Sequence, residues 1–459
     1  MAKHDETLEA QIAQWRSWLR RRPAIRPADV EELEGHLRDQ VAALVAAGLA
    51  ADEAFLVAVK RMGNLDAVSR EFAREHSERL WKQLVTAPES PDETGQWASG
   101  ETLVVVGLAA GAALAVKLPE LFGYPPLVNV DEELLPFYFR NMSFFVLPFL
   151  ATYFAWKRRL DRTACVRLVL AFAAAALAIN VFPFTPGGHT LTLAALHLPI
   201  ALWLAVGVAY AGGRWRDGGR RMDFVRFSGE LFIYFVLMAL GGGVLTGFTL
   251  GTFAAIGLDA ERFAQQWLLP CGAMGAIIVG AWLVEAKQSV IENMAPVLTR
   301  LFTPLFAAVL LTFLAAMVWT GRGIDVEREV LIGFDLLLAV VLGLLLYAVS
   351  ARDAHAPPDA FDALQLLLVV SALVVDGVAL AAIAGRISEF GFSPNRVAAL
   401  GENLILLVNL AWSAWLYARF LRGRGSFSAL DRWQTDYLPV YAVWAGFVVV
   451  VFPPLFGYL

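Results

Sequence analysis

The sequence predicts an all-α protein, a polytopic transmembrane helical bundle of about eleven spans behind a small N-terminal helical domain. Three observations predict it. Of 459 residues, 58% are hydrophobic and only 17% are charged, against about 25% charged in soluble domains. The charge is crowded at the front. Residues 1–85 hold 13 Lys/Arg and 14 Asp/Glu, and the rest of the chain is long apolar runs divided by short polar loops. Lys and Arg also alternate in density from one loop to the next, which sets an orientation.

The expected organisation is a helical domain over 1–85, a linker over 86–100 and a membrane domain over 101–459. Within the first, residues 5–21 carry Leu8, Ile12, Trp15 and Leu19 on one stripe, the spacing of an amphipathic helix. A second helix carries Val30, Leu33, Leu37, Val41 and Leu44 and stops at Gly48. "DEAFLVAVKRM" gives a third, ending at Gly63, and a fourth starts after Asn64 or Asp66 with Leu65, Val68 and Phe72 inward. "TAPESPDETG" then breaks the structure. The near-neutral charge of this domain argues against nucleic-acid binding, which needs a net basic face.

Eleven apolar segments come next, at 102–118, 141–156, 164–182, 190–211, 227–257, 264–284, 300–320, 330–350, 361–384, 397–420 and 438–456. Most approach the ~20 residues that cross a bilayer core, and two are short enough to be re-entrant. With the N-terminus inside, the inner loops carry Lys157, Arg158, Arg159, Arg162, Arg214, Arg216, Arg220 and Arg221 among others, and the outer loops far fewer. That bias supports an N-in, C-out arrangement. "MAKHDETLEAQ" is polar and reads as the start of a helix rather than a cleavable leader. "PELFGYPPL" and "FPPLFGYL" echo one another and read as two similar interfacial exits.

"VEELEGHLRDQVAALVAAGLAADEAFLVAVKRMGNLDAVSREFAREH" resembles the bacterial permease prefix domain, a helical module found ahead of membrane proteins. Its rhythm is similar to signalling modules associated with PadR-type regulators. "FGFSPNRVAALGENLILLVNLAW" resembles a bacterial multipass family of unassigned function. The resemblance implies a bacterial inner-membrane protein with a cytoplasmic prefix, and offers no mechanism.

The polar residues inside the spans are the candidate site. Ser393 and Pro394 start a helix well, as a capping hydroxyl followed by proline at the first helical position. From there Glu402 and Asn409 share one stripe, with Arg396 and Asn403 on the stripe beside it. Counting at 1.5 Å per residue, Asp335, Asp376, Glu402 and His197 all lie about 8–12 Å below the outer edge. Asn180 sits near that edge, and Arg386 and Arg396 stand at its mouth. Each ionisable residue at such depth costs about 2.5–3.5 kcal/mol. The expectation is either an outward-facing polar cavity or separate pairs that hold the bundle together. The fifth segment is longer than a core requires and contains Gly241, Gly242 and Gly243, which read either as a helix break or as close packing.

His189 and His197 lie eight apart and only His355 joins them beyond residue 100, so no cofactor and no metal is expected. There is no P-loop, nucleophile elbow or HExxH motif. The leading expectation is a permease-type protein. Its alternatives are a membrane sensor whose prefix docks a cytoplasmic regulator, and a membrane-embedded enzyme acting on a lipid-linked substrate. Expected partners are membrane lipid and a cytoplasmic protein at residues 1–85, with homo-oligomerisation open.

Overall fold

The computed structural model describes residues 27–46, 95–127, 135–255, 258–286, 295–320, 328–354 and 356–459, with Ile12, Leu49, Ala54, Phe55 and Ala58. Two compact units divide at Gly95. In the first, α1 (Pro27–Ala46) starts on a proline and buries Leu37, Val41 and Leu44, three members of the expected stripe. Ile12, Ala54, Phe55 and Ala58 are buried in the same unit. The first, third and fourth expected helices of this domain otherwise lie outside the described residues.

The described residues of the second unit form helices joined by short turns and loops, with no strand. Its helices are α2 (Gly95–Ala115), α3 (Leu118–Leu121), α4 (Leu135–Asn141), α5 (Leu147–Lys157), α6 (Arg162–Val181), α7 (His189–Tyr210) and α8 (Gly218–Ala255). Then come α9 (Glu261–Ala286), α10 (Ala295–Thr320), α11 (Arg328–Ala351), α12 (Ala360–Phe390), α13 (Pro394–Leu421), α14 (Phe427–Val450) and α15 (Phe452–Leu455). Eight of them, α6 to α13, are long and apolar enough to cross a membrane.

The other three expected spans differ for visible reasons. The first is a helix whose apolar run is only Gly100–Ala115. The second is divided into a 3₁₀ turn at Met142–Phe145, a bend at Val146 and the 11-residue α5. Pro148, which cannot donate a backbone hydrogen bond, sits at the start of α5, and about 16 Å of helix is half a bilayer. The last segment covers the second half of α14 and all of α15, with the helix broken between them at Val451, and the first half of α14 carries Asp431, Arg432, Gln434 and Asp436. A π-helical turn at Ala264–Leu268 directly precedes Pro270 in α9.

The apolar side chains form two main cores. One gathers α2, α4, α5, α7, α8 and α9 around buried Leu198, Leu202 and Val206 of α7. The other gathers α10 to α14 around Leu368, Val369, Ala372 and Val375 of α12. α8 and α14 pack on helices of both cores. The echoing segments fold alike: α3 and α15 each carry proline at their start and are followed by a left-handed glycine, Gly123 at φ +87 and Gly457 at φ +62.

The glycine-rich stretch of α8 corrects an expectation. The helix runs without interruption through Gly241, Gly242 and Gly243. A Cβ at any of the three would meet nothing within 4 Å, so they are not a tight helix contact either. Leu240, Val244, Leu245 and Phe248 around them are exposed, the surface of a helix that faces lipid. A helix in lipid keeps all its backbone hydrogen bonds internal, which outweighs the weak helix propensity of glycine.

Candidate functional site

The centre of the second core is the α12–α13 hairpin. Asp359 starts α12 with a capping box, accepting from Asp362 N at 2.9 Å while its own N–H donates to the Asp362 carboxylate at 2.9 Å. Gly391 ends it at φ +74, a conformation that favours glycine. Two residues on, Ser393 accepts from Arg396 N at 3.4 Å and Pro394 opens α13, the start that the sequence predicts. Counted along this antiparallel pair, Asp376 lies about 8 Å deeper than Asn403.

Asp376 is fully buried, and neither carboxyl oxygen has a hydrogen-bond partner among the described residues. Buried polar groups are almost always paired, so an orphaned carboxyl is an exception that calls for a reason. Asp335 of α11 lies within electrostatic reach of it. Asp335 accepts from Asn403 Nδ2 at 2.8 Å, and Asn403 Nδ2 also donates to Ala399 O at 2.8 Å. The amide oxygen of Asn403 is buried and unpaired.

Glu402, one residue away on α13, turns towards α7 and meets His197 Nε2 at 2.6 Å. The other ring nitrogen, Nδ1, lies 2.8 Å from Leu193 O. A carbonyl only accepts, so Nδ1 carries the hydrogen, and the short Nε2 contact holds a proton between imidazole and carboxyl. Asp335 lies within electrostatic reach of Glu402 as well as Asp376. His197, Glu402, Asp335 and Asp376 therefore form a row of titratable groups across α7, α13, α11 and α12. His197 is buried behind Glu402, and from Glu402 inward exposure falls. The Glu402 side chain is 32% exposed and Asp376 is 0% exposed.

The other expected site residues lie elsewhere. Asn409 sits in a closed network, with Nδ2 donating to Gln434 Oε1 at 3.1 Å and to Tyr441 Oη at 2.5 Å. Its Oδ1 accepts from Trp433 Nε1 at 2.9 Å and from Ser413 Oγ at 3.0 Å. Asn180 pairs reciprocally with Asn141 of α4 at 3.0 and 2.8 Å, in the first core. Arg396 donates to the Phe390 and Gly391 carbonyls at 3.0 and 2.8 Å, closing the end of α12. Arg386 is about 15 Å along α12 from Asp376, in an extension of that helix beyond the expected end of the span.

Sequence reading missed the partners of Asn409. Gln434 and Tyr441 lie two helical turns apart on α14, and that spacing is the signal that marks them. It also missed the ion pair of Arg352 with Asp362, two contacts of 2.7 Å with the guanidinium packed between the rings of Phe420 and Phe427.

Fold and site together define a polytopic helical membrane protein with an ionisable row in its interior. No protein-family model, no curated protein and no solved structure matches the chain.

Proposed function

We propose that this is a permease-type membrane protein that moves protons along the row His197–Glu402–Asp335–Asp376, coupled to transport of a solute. The observation that carries the reading is Asp376, a carboxyl sealed in the membrane interior beside a second acid and with no hydrogen-bond partner among the described residues. Two acids within electrostatic reach of each other share a proton more readily than both ionise. A row of acids and a histidine inside membrane helices suits a proton relay. On this reading Glu402, paired with the buried His197, loads the proton at the exposed end, Asn403 orients Asp335, and Asp376 is the terminal carrier.

The same reading places about eleven crossings in a bacterial inner membrane, with the N-terminal unit in the cytoplasm and residues 1–85 docking a cytoplasmic protein. Its support is the gathering of Arg158, Arg162, Arg214 and Arg216 where α5 and α7 end and α6 and α8 begin, the helix ends of one membrane face.

The test is proton flux into vesicles reconstituted with the full chain, read with an internal pH dye under an imposed potential. Wild type is expected to acidify the lumen, and Asp376→Asn and Glu402→Gln to fall to the rate of empty vesicles. Equal flux in wild type and both variants would refute the relay.

A further inference from the structure

A second polar site lies at the helix ends where α5 and α7 finish and α8 begins, independent of the proton row. These ends enclose a cavity of about 360 Å³. Its wall carries the guanidinium groups of Arg158, Arg220 and Arg226, the carboxylates of Asp223 and Glu230, and the ring of Tyr210.

The guanidinium groups are held in place but not used up. Arg158 gives one terminal nitrogen to both oxygens of Glu285, at 2.9 and 2.8 Å, and lies 5.0 Å from the centre of the Tyr210 ring. Its Nε is buried with no hydrogen-bond partner among the described residues. Arg226 donates through Nε and a terminal nitrogen to the Ser350 carbonyl, which carries no formal charge, and Asp431 is within its electrostatic reach. Arg220 is 3.8 Å from Asp217, too far for a hydrogen bond. The wall thus presents donor forks suited to a phosphate alongside the exposed carboxylate of Asp223, suited to a cation.

We propose that this cavity binds a phosphoethanolamine group, a phosphate ester bearing a primary ammonium. The arginines take the phosphate, and Asp223 takes the ammonium N–H groups. A phosphoglycerol group offers no cation to that acid, and a trimethylated ammonium offers no N–H. The volume is at the lower end of the ~300–1,000 Å³ usual for small-molecule sites and suits a headgroup. Arg159, Arg162, Arg214 and Arg216 lie on the same helix ends and loops, where lipid headgroups are expected. The group could arrive on a lipid or as the free phosphate ester.

The experiment is native mass spectrometry of the full chain in detergent with phosphatidylethanolamine, phosphatidylcholine and phosphatidylglycerol of matched acyl chains. Wild type is expected to retain the ethanolamine lipid about tenfold better than the other two. Asp223→Asn, on an exposed position, is expected to abolish that preference without moving the unfolding midpoint. Arg220→Gln is expected to weaken all three lipids alike. Displacement by soluble O-phosphoethanolamine assigns the free compound as a ligand, and retention in its presence assigns the lipid. Wild type without headgroup preference, or a preference that survives Asp223→Asn, overturns the proposal.

Discussion

Replacing Asp376 should make the protein more stable and inactive. The carboxyl sits at 0% exposure with neither oxygen bonded among the described residues. On insertion scales an aspartate in mid-membrane is unfavourable by about 2.5–3.5 kcal/mol, while a leucine is favourable by about 0.3–0.6 kcal/mol. Leucine has the same branching, so Asp376→Leu exchanges those terms without opening a cavity. The unfolded chain in a membrane relieves part of the penalty too, and leucine is somewhat larger. The net expectation is a gain of about 1–2 kcal/mol. Asp376→Asn, nearly isosteric, should stay within about 1 kcal/mol of wild type. Denaturant titration of the full chain in mixed micelles, followed by tryptophan fluorescence, measures both. A loss of more than about 2 kcal/mol in both variants would show that the carboxyl holds the bundle together, and the functional argument would fall.

Three further substitutions test the framework around that site. Asn409→Ala strips partners from Gln434, Tyr441, Ser413 and Trp433. At about 0.6 kcal/mol for each hydrogen bond between membrane helices it should destabilise by roughly 2–3 kcal/mol in the same titration, with proton flux per folded molecule unchanged. Arg352→Gln leaves the buried Asp362 carboxylate without its cation, and the unfolding titration should show a loss of about 3 kcal/mol. A Cβ at Gly401 would collide with the Trp444 ring, so Gly401→Leu should separate α13 from α14 at a loss of about 1–3 kcal/mol, while Gly446→Leu, in open space, should be tolerated.

The helical nature of the chain and most of its spans were legible because apolar run length is a local property. The Ser393–Pro394 start of α13 was equally legible, since a cap and its helix are sequence neighbours. Depth could be read only roughly: it placed Asp335, Asp376, Glu402 and His197 near one level, whereas α12 runs on to Phe390 and sets Asp376 about 8 Å deeper than Asn403. Azimuth could not. Asn403 and Glu402 are adjacent in sequence but turn to different helices, α11 and α7, because successive helical residues differ by about 100°. Asn409 shares a stripe with Glu402 yet faces α14, since each stretch of a stripe meets a different neighbour. Arg396 looked like a site residue because a charge near a membrane edge is conspicuous. Its true partners are backbone carbonyls of the preceding helix end, which no sequence pattern advertises. The reading of Gly241–Gly243 as a break or a tight contact failed because glycine permits both and requires neither.

If Asp376 is a carrier carboxyl inside the membrane that exchanges its proton through Glu402, a lipophilic carbodiimide, which reacts with protonated carboxyls, should label it. Labelling of the full chain in lipid vesicles, followed by peptide mass spectrometry across pH, should give an adduct on Asp376 that declines as pH rises, with a different pH dependence in Glu402→Gln. No adduct on Asp376 at any pH, in protein that labels elsewhere and remains folded, would rule out a proton carrier at that position.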